Sequence, residues 1–189
     1  MGKKEYWRAG NMLYPLPAVL VTVADSRGRE NVFTVAWAGT VCTNPPMVSI
    51  SVRPERYSYG MICETGEFVI NLTTEELARA VDYCGVKSGR DVDKFQAMKL
   101  RRDKAAAVRA PLLSDAPVSI ECRVSEVKHL GSHDLFLAKV VAVHADEAYM
   151  DERGRFDLKK ASPLVYSHGE YFGLGRRLGS FGYSVKKRK

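Results

Sequence analysis

The sequence predicts a mainly β fold, an antiparallel barrel, closed or half-closed, carrying small helices. Three observations support this. Segments rich in Val, Ile, Phe and Thr recur at strand length along the chain. Turn clusters separate them closely enough to make successive strands antiparallel neighbours. Helical patterns are few and brief. Closure is favoured because it removes exposed strand edges; a two-sheet sandwich is the competing architecture.

Ala18–Ala24 is β-branched and stops at the turn cluster Asp25-Ser26-Arg27-Gly28. Asn31–Thr43 is again β-rich, with small residues that suggest a break around Ala38-Gly39. Asn44-Pro45-Pro46 forces a turn. Met47–Val52 then alternates apolar with small polar residues, as a half-buried strand does. Ser58–Glu64 reads as a short helix ended by Gly66, and Glu67–Leu72 as the next strand. Thr73-Thr74-Glu75-Glu76 offers a helix start, and that helix is expected to reach Cys84 with Gly85 as its C-cap. Ser88–Lys104 is polar and without period, a loop with one helical turn near Asp91–Phe95. Val118–Val127 and Asp134–His144 form a long hairpin, and Pro163–Ser167 is a last strand before a Gly- and Tyr-rich tail. Roughly six strands result.

The length of 189 residues suits a single domain, 1–189, with flexible termini over 1–12 and 184–189. A hydrophobic share of 46% allows a sizeable core. No apolar run reaches membrane-spanning length, and no secretory leader is visible, so a soluble cytoplasmic protein is expected. The net charge of +7 includes four charges on Lys186, Lys187, Arg188 and Lys189. The remainder carries +3, weak grounds for a nucleic-acid partner. Cys42, Cys63, Cys84 and Cys122 show neither zinc spacing nor a redox pair, so no metal is expected. Cys63 and Cys122 read as buried thiols, and Cys84, before Gly85, as more exposed.

Three segments carry chemistry. Around Thr34, Ala36, Ala38, Gly39 and Thr40 the strand is built of small residues. That suits either a bulge or a flat ligand approaching the backbone. Ser51, Arg53, Arg56, Tyr57 and Ser58 gather guanidinium groups and hydroxyls at a helix start. This arrangement favours phosphate, with a solvated basic loop as the alternative. Ser88–Phe95 places Arg90 and Lys94 in a polar loop, and Asp91 with Asp93 falls short of a calcium-loop pattern.

In order and spacing, YPLP (Tyr14–Pro17), NVFTVAWAGTVCTNPPMVSISVRP (Asn31–Pro54), YSYGMICETGEFVINL (Tyr57–Leu72), SGRDVDKF (Ser88–Phe95) and HGEYFGLG (His168–Gly175) resemble one family. It is the flavin reductase-like proteins of the FMN-binding split-barrel fold, in their flavoredoxin-like branch. The resemblance implies a six-stranded Greek-key split barrel and a homodimer holding FMN near its interface. Thr34, Ala36, Trp37, Ala38 and Thr40 would lie along the isoalloxazine, and Ser51, Arg53, Tyr57 and Ser58 would hold the phosphate. Asn71 would meet the cofactor or its bed. Arg90, Asp91, Lys94 and Phe95 would cover the flavin, with Tyr171 and Phe172 closing the pocket. Trp37 also fits a plain core or interface residue, and His168 a satisfied surface histidine.

The chemistry implied is that of a flavoprotein oxidoreductase in which the cofactor carries the redox step, so no catalytic side chain is expected. NADH or NADPH would donate hydride without a dinucleotide fold, because no GxGxxG follows a strand. A small-molecule acceptor or a redox protein would take the electrons. The alternative is a flavoredoxin-type carrier, reduced by a protein partner without direct NAD(P)H activity.

Overall fold

In the computed structural model, which describes residues 2–185, the β-branched runs become strands wherever turn residues bound them. The strands are β1 (Leu16–Pro17), β2 (Val19–Ala24), β3 (Glu30–Val35), β4 (Ala38–Thr43), β5 (Pro46–Val52) and β6 (Glu67–Asn71). They continue with β7 (Arg102–Asp103), β8 (Leu112–Leu113), β9 (Val118–His129), β10 (Asp134–Ala145), β11 (Leu164–Ser167) and β12 (Glu170–Gly173). Three α-helices interrupt them: α1 (Tyr57–Thr65), α2 (Ala78–Val86) and α3 (Lys94–Met98). None of the described helices is long and apolar enough to cross a membrane. The basic tail 186–189 lies outside the described residues.

The main sheet has seven strands in the order β3-β2-β6-β9-β10-β5-β4. All its pairings are antiparallel, and it curls without closing. Two irregularities in the β9–β10 register, at Leu137/Ala138 and Val140/Ala142, add local twist to the long hairpin. Inside the curl, Val21, Val23, Ile50, Phe68, Cys122 and Phe136 form the central core. A second core lies beneath α2 and α3, where Leu20, Val32, Val81, Cys84, Phe95 and Leu113 meet.

Several expectations shift. Asn31–Thr43 is two strands rather than one, and the break falls at Ala36-Trp37 instead of Ala38-Gly39. There the chain crosses from one sheet edge to the other. The strand over Leu164–Ser167 leaves the main sheet for a three-stranded one, β1-β11-β12. α2 runs through Gly85 instead of ending on it. A Cβ at Gly85 would stand 3.4 Å from Thr34 Cβ, so this glycine serves the close approach of helix to strand. α3 starts at Lys94, three residues after the expected turn, because the Asp93 side chain accepts from Gln96 N (3.1 Å) as its cap. The cysteines exchange places: Cys63 is exposed on α1, while Cys84 is buried, which pushes its thiol pKa up to about 11.

The segment before β8 is held down by one carboxylate. Glu121 on β9 is fully buried and accepts from the main-chain N–H of Ala106 (2.8 Å), Ala107 (2.6 Å) and Val108 (3.0 Å). His144 Nε2 lies 2.6 Å from it. Burial pushes the Glu121 pKa up, but these hydrogen bonds outweigh burial and hold it below its ordinary value.

Candidate functional site

The Ala36-Trp37 crossing opens onto a cleft of about 640 Å³. Its floor is the end of β3 with Phe33 and Thr34, and its walls are Trp37, Ser51, Arg53, Arg56, Tyr166 and Tyr171. A second cleft of about 410 Å³ adjoins it, sharing Phe33, Arg53 and Arg56. Tyr57, Ser58, Arg90 and Lys94 complete its wall. A third, about 330 Å³, continues past Arg90 and Lys94 to Asp91 and Phe95.

The second cleft is built for an anion. The α1 N-terminus reaches it with no side chain capping the helix; Tyr59 N bonds the Arg56 carbonyl (3.0 Å), and the N–H groups of Tyr57 and Ser58 are left for a ligand or solvent. Ser58 is buried and accepts from Asn31 Nδ2 (2.7 Å), which fixes its hydroxyl oxygen. Arg56 donates to the Gly85 carbonyl (3.0 Å), and Arg90 donates to the Glu55 carbonyl (3.3 Å) while lying over the Tyr57 ring (5.6 Å). Arg53 is half exposed, paired only loosely with Glu55 at 3.4 Å. Lys94 is 3% exposed, and its ammonium donates to the Cys84 carbonyl (3.0 Å). Among the described residues no carboxylate pairs with it. Burial lowers its pKa to about 8. A buried cation without a counter-charge is costly.

The first cleft is of different character. Apolar faces of Phe33, Val35, Ala36, Trp37 and Tyr166 make a bed for a flat ring. The Thr34 hydroxyl donates to the Val81 carbonyl, so it ties α2 to β3 and leaves the cleft to other groups. Tyr171 donates weakly to Asp82 (3.4 Å), and burial together with this carboxylate lifts its pKa to about 12. The Trp37 carbonyl accepts from Ser51 N (2.8 Å), which pins the crossing to β5.

Most of the expected site residues therefore converge, but Thr40, Asn71 and Phe172 do not. Ala38 lines a fourth, apolar cleft of about 620 Å³ beside the segment Gly10–Leu16, which adjoins the first by sharing Asn11, Trp37 and Ser51. Thr40 is exposed on β4, away from these clefts. Asn71 is a correction: it is wholly buried, donates to the Leu20 carbonyl (3.1 Å), and accepts from Leu113 N (3.0 Å) and Ser119 Oγ (2.6 Å). Its amide is spent in the core. Sequence reading missed Asn31, Asp82 and His133; Asn31 opens one of the segments that carry the family resemblance, and the other two stand in none of them. Phe172 is half exposed, outside all four clefts.

Residues 11–175 match the Flavin reductase like domain family. The chain belongs to that family. Flavoredoxin of Desulfovibrio vulgaris (Miyazaki F) superposes on this flavin reductase-like chain with a TM-score of 0.90 at 30% identity, covering 97% of this chain and 100% of its own. An NADH:riboflavin 5'-phosphate oxidoreductase of Streptomyces pristinaespiralis is 26% identical over 131 residues, 69% of this chain and 72% of that protein. A relative in Aeropyrum pernix is 30% identical over 82% of this chain, which spans 58% of the relative's length. The uncurled edge between β3 and β4 is thus the opening of a split barrel.

Proposed function

We propose that this flavin reductase-like protein is an FMN-dependent oxidoreductase. It takes hydride from NADH or NADPH and passes electrons to a small-molecule acceptor. The observation that carries this reading is the pairing of an apolar bed at Phe33 and Trp37 with an adjoining cationic cleft. That donor set fits a flat ring bearing a phosphate tail. Bound FMN supplies the redox chemistry, accepting hydride and releasing electrons.

The chain's own residues bind and orient. Arg53 and Arg56 stand where the two clefts join, and with Ser58, Lys94 and the α1 N-terminus they neutralise a phosphate dianion. Trp37, Tyr166 and Tyr171 fix the plane of the ring and exclude water from one side. A homodimer in the cytoplasm completes the reading; four free cysteines suit a reducing compartment.

Absorbance of the desalted protein, recorded before and after anaerobic NADH or NADPH, tests it. A yellow protein bleached by either nucleotide is the expected result. A yellow protein indifferent to both makes it instead a carrier reduced by a protein partner, the reading favoured by its likeness to flavoredoxin. A protein colourless even with added FMN ends both. Arg53→Ala should raise the FMN dissociation constant about 10- to 100-fold, the worth of a charge-assisted contact. Unchanged affinity in a fluorescence titration would move the phosphate elsewhere.

A further inference from the structure

Two buried polar side chains stand behind the anion cleft, and the hydrogen bond between them has a direction. Asn31 on β3 and Ser58 on α1 are both buried, and both wall the second cleft. Asn31 Nδ2 donates to Ser58 Oγ (2.7 Å), so the serine oxygen is engaged as an acceptor. Its own proton is left to be donated, and among the described residues no group accepts it. Gly89 holds the amide in this seat. A Cβ there would collide with Asn31 Oδ1 and stand 2.8 Å from Tyr57 Cδ1. The φ of Gly89 is not left-handed, so its missing side chain serves this close approach. A buried hydroxyl with only a proton to offer, beside the free N–H groups of Tyr57 and Ser58, suits a partner that only accepts.

We infer, on the reading of the ligand as FMN, that Asn31 is a positioning residue that sets specificity. Through Ser58 it makes the cleft prefer a flavin ending in a phosphate monoester over one ending in a hydroxyl. A phosphate oxygen brings charge and lone pairs, and it accepts from a hydroxyl already turned outward without reorganising the site. Riboflavin stops one phosphate short of this contact and gains nothing from it. With Asn31 removed, the Ser58 proton is free to turn elsewhere, and the donor has to be ordered each time FMN binds. A tie that merely joined β3 to α1 would serve both flavins alike.

Titration of the flavin-free full chain with FMN and with riboflavin, followed by flavin fluorescence, tests this. Ser58→Ala should raise the FMN dissociation constant about 10- to 100-fold, the worth of a hydrogen bond to a charged group. Asn31→Ala should raise it about tenfold and add nothing in the Ser58→Ala background, because it acts through that hydroxyl. Asn31→Asp, nearly unchanged in volume, takes the Ser58 proton on its own carboxylate and should weaken FMN by at least about 100-fold. Riboflavin affinity should stay within about twofold in every variant, which also shows that each one folds. Additive losses in the double variant overturn the proposal. So does a riboflavin loss equal to that of FMN, the mark of a plain structural tie. Unchanged FMN affinity in Asn31→Ala overturns it and leaves the FMN reading intact. A parent protein that binds neither flavin overturns both.

Discussion

Lys94→Met should make the FMN-free protein more stable and its FMN binding weaker. Lys94 is buried, and its pKa is lowered from 10.5 to about 8. Below pH 8 the folded protein carries the full penalty of that charge, an upper bound of about 3 kcal/mol. Methionine fills a similar volume without it. The lost hydrogen bond to the Cys84 carbonyl returns about 1 kcal/mol. A net gain of about 1–2 kcal/mol is therefore expected in urea unfolding. The sign follows from proton binding: between about pH 8 and 10.5 the unfolded chain holds the Lys94 proton and the folded one has released it. The parent thus recovers stability as pH rises through that window, and the advantage of Lys94→Met fades there. FMN affinity should fall about 10- to 100-fold at pH 7. In the parent, affinity should decline above about pH 8, and in the variant that decline should vanish. A variant that loses stability at pH 7 would show that Lys94 serves the core instead of an anion.

Glu121→Gln should destabilise the protein by about 3–5 kcal/mol, because charge-assisted hydrogen bonds become neutral ones and a buried N–H is left without a partner. For a chain of this length that lowers Tm by about 10 °C. The amide cannot accept at both oxygen positions, so at least one N–H among residues 106–108 loses its partner. Because the Glu121 pKa is held below 4.5, the parent keeps this stabilisation above pH 4.5 and loses it as pH falls further. Glu121 lines none of the four clefts, so FMN affinity should remain within about twofold. A thermal scan together with a flavin titration separates this anchor from Lys94, whose two effects have opposite signs.

Much of the architecture was legible because punctuation residues sit where the chain turns. Asp25–Gly28, Asn44-Pro45-Pro46 and Gly66 each end an element in the structure as they do in the sequence. What escaped depends on contacts across the fold. Gly85 reads as a helix stop until Thr34 is seen beside it. Ala36 and Trp37 suit a strand locally, and only the curl of the sheet makes them a crossing. β12 is four residues long between Gly169 and the Gly-rich stretch after it, too short for alternation to register. In the site, the cations Arg53, Arg90 and Lys94 were visible as types in a pattern. Asn71 was not separable from them, because whether an amide faces a cleft or the core depends on the partners at Leu20, Leu113 and Ser119.

The Ala36-Trp37 crossing also sets a width. Val35 and Ala38 end strands at opposite edges of the main sheet, yet three peptide steps reach at most about 11 Å. Paired strands lie about 4.8 Å apart, so near this tie the seam is about as wide as one absent stave. A flat molecule lodged there meets, on either side, main-chain N–H and C=O groups that no neighbouring strand has claimed. Without it, the same two margins are an open template for a strand of another chain. The cofactor of such a barrel is then also its hoop: cells starved of flavin should accumulate this protein in aggregates as its activity falls, instead of storing it as soluble apoprotein.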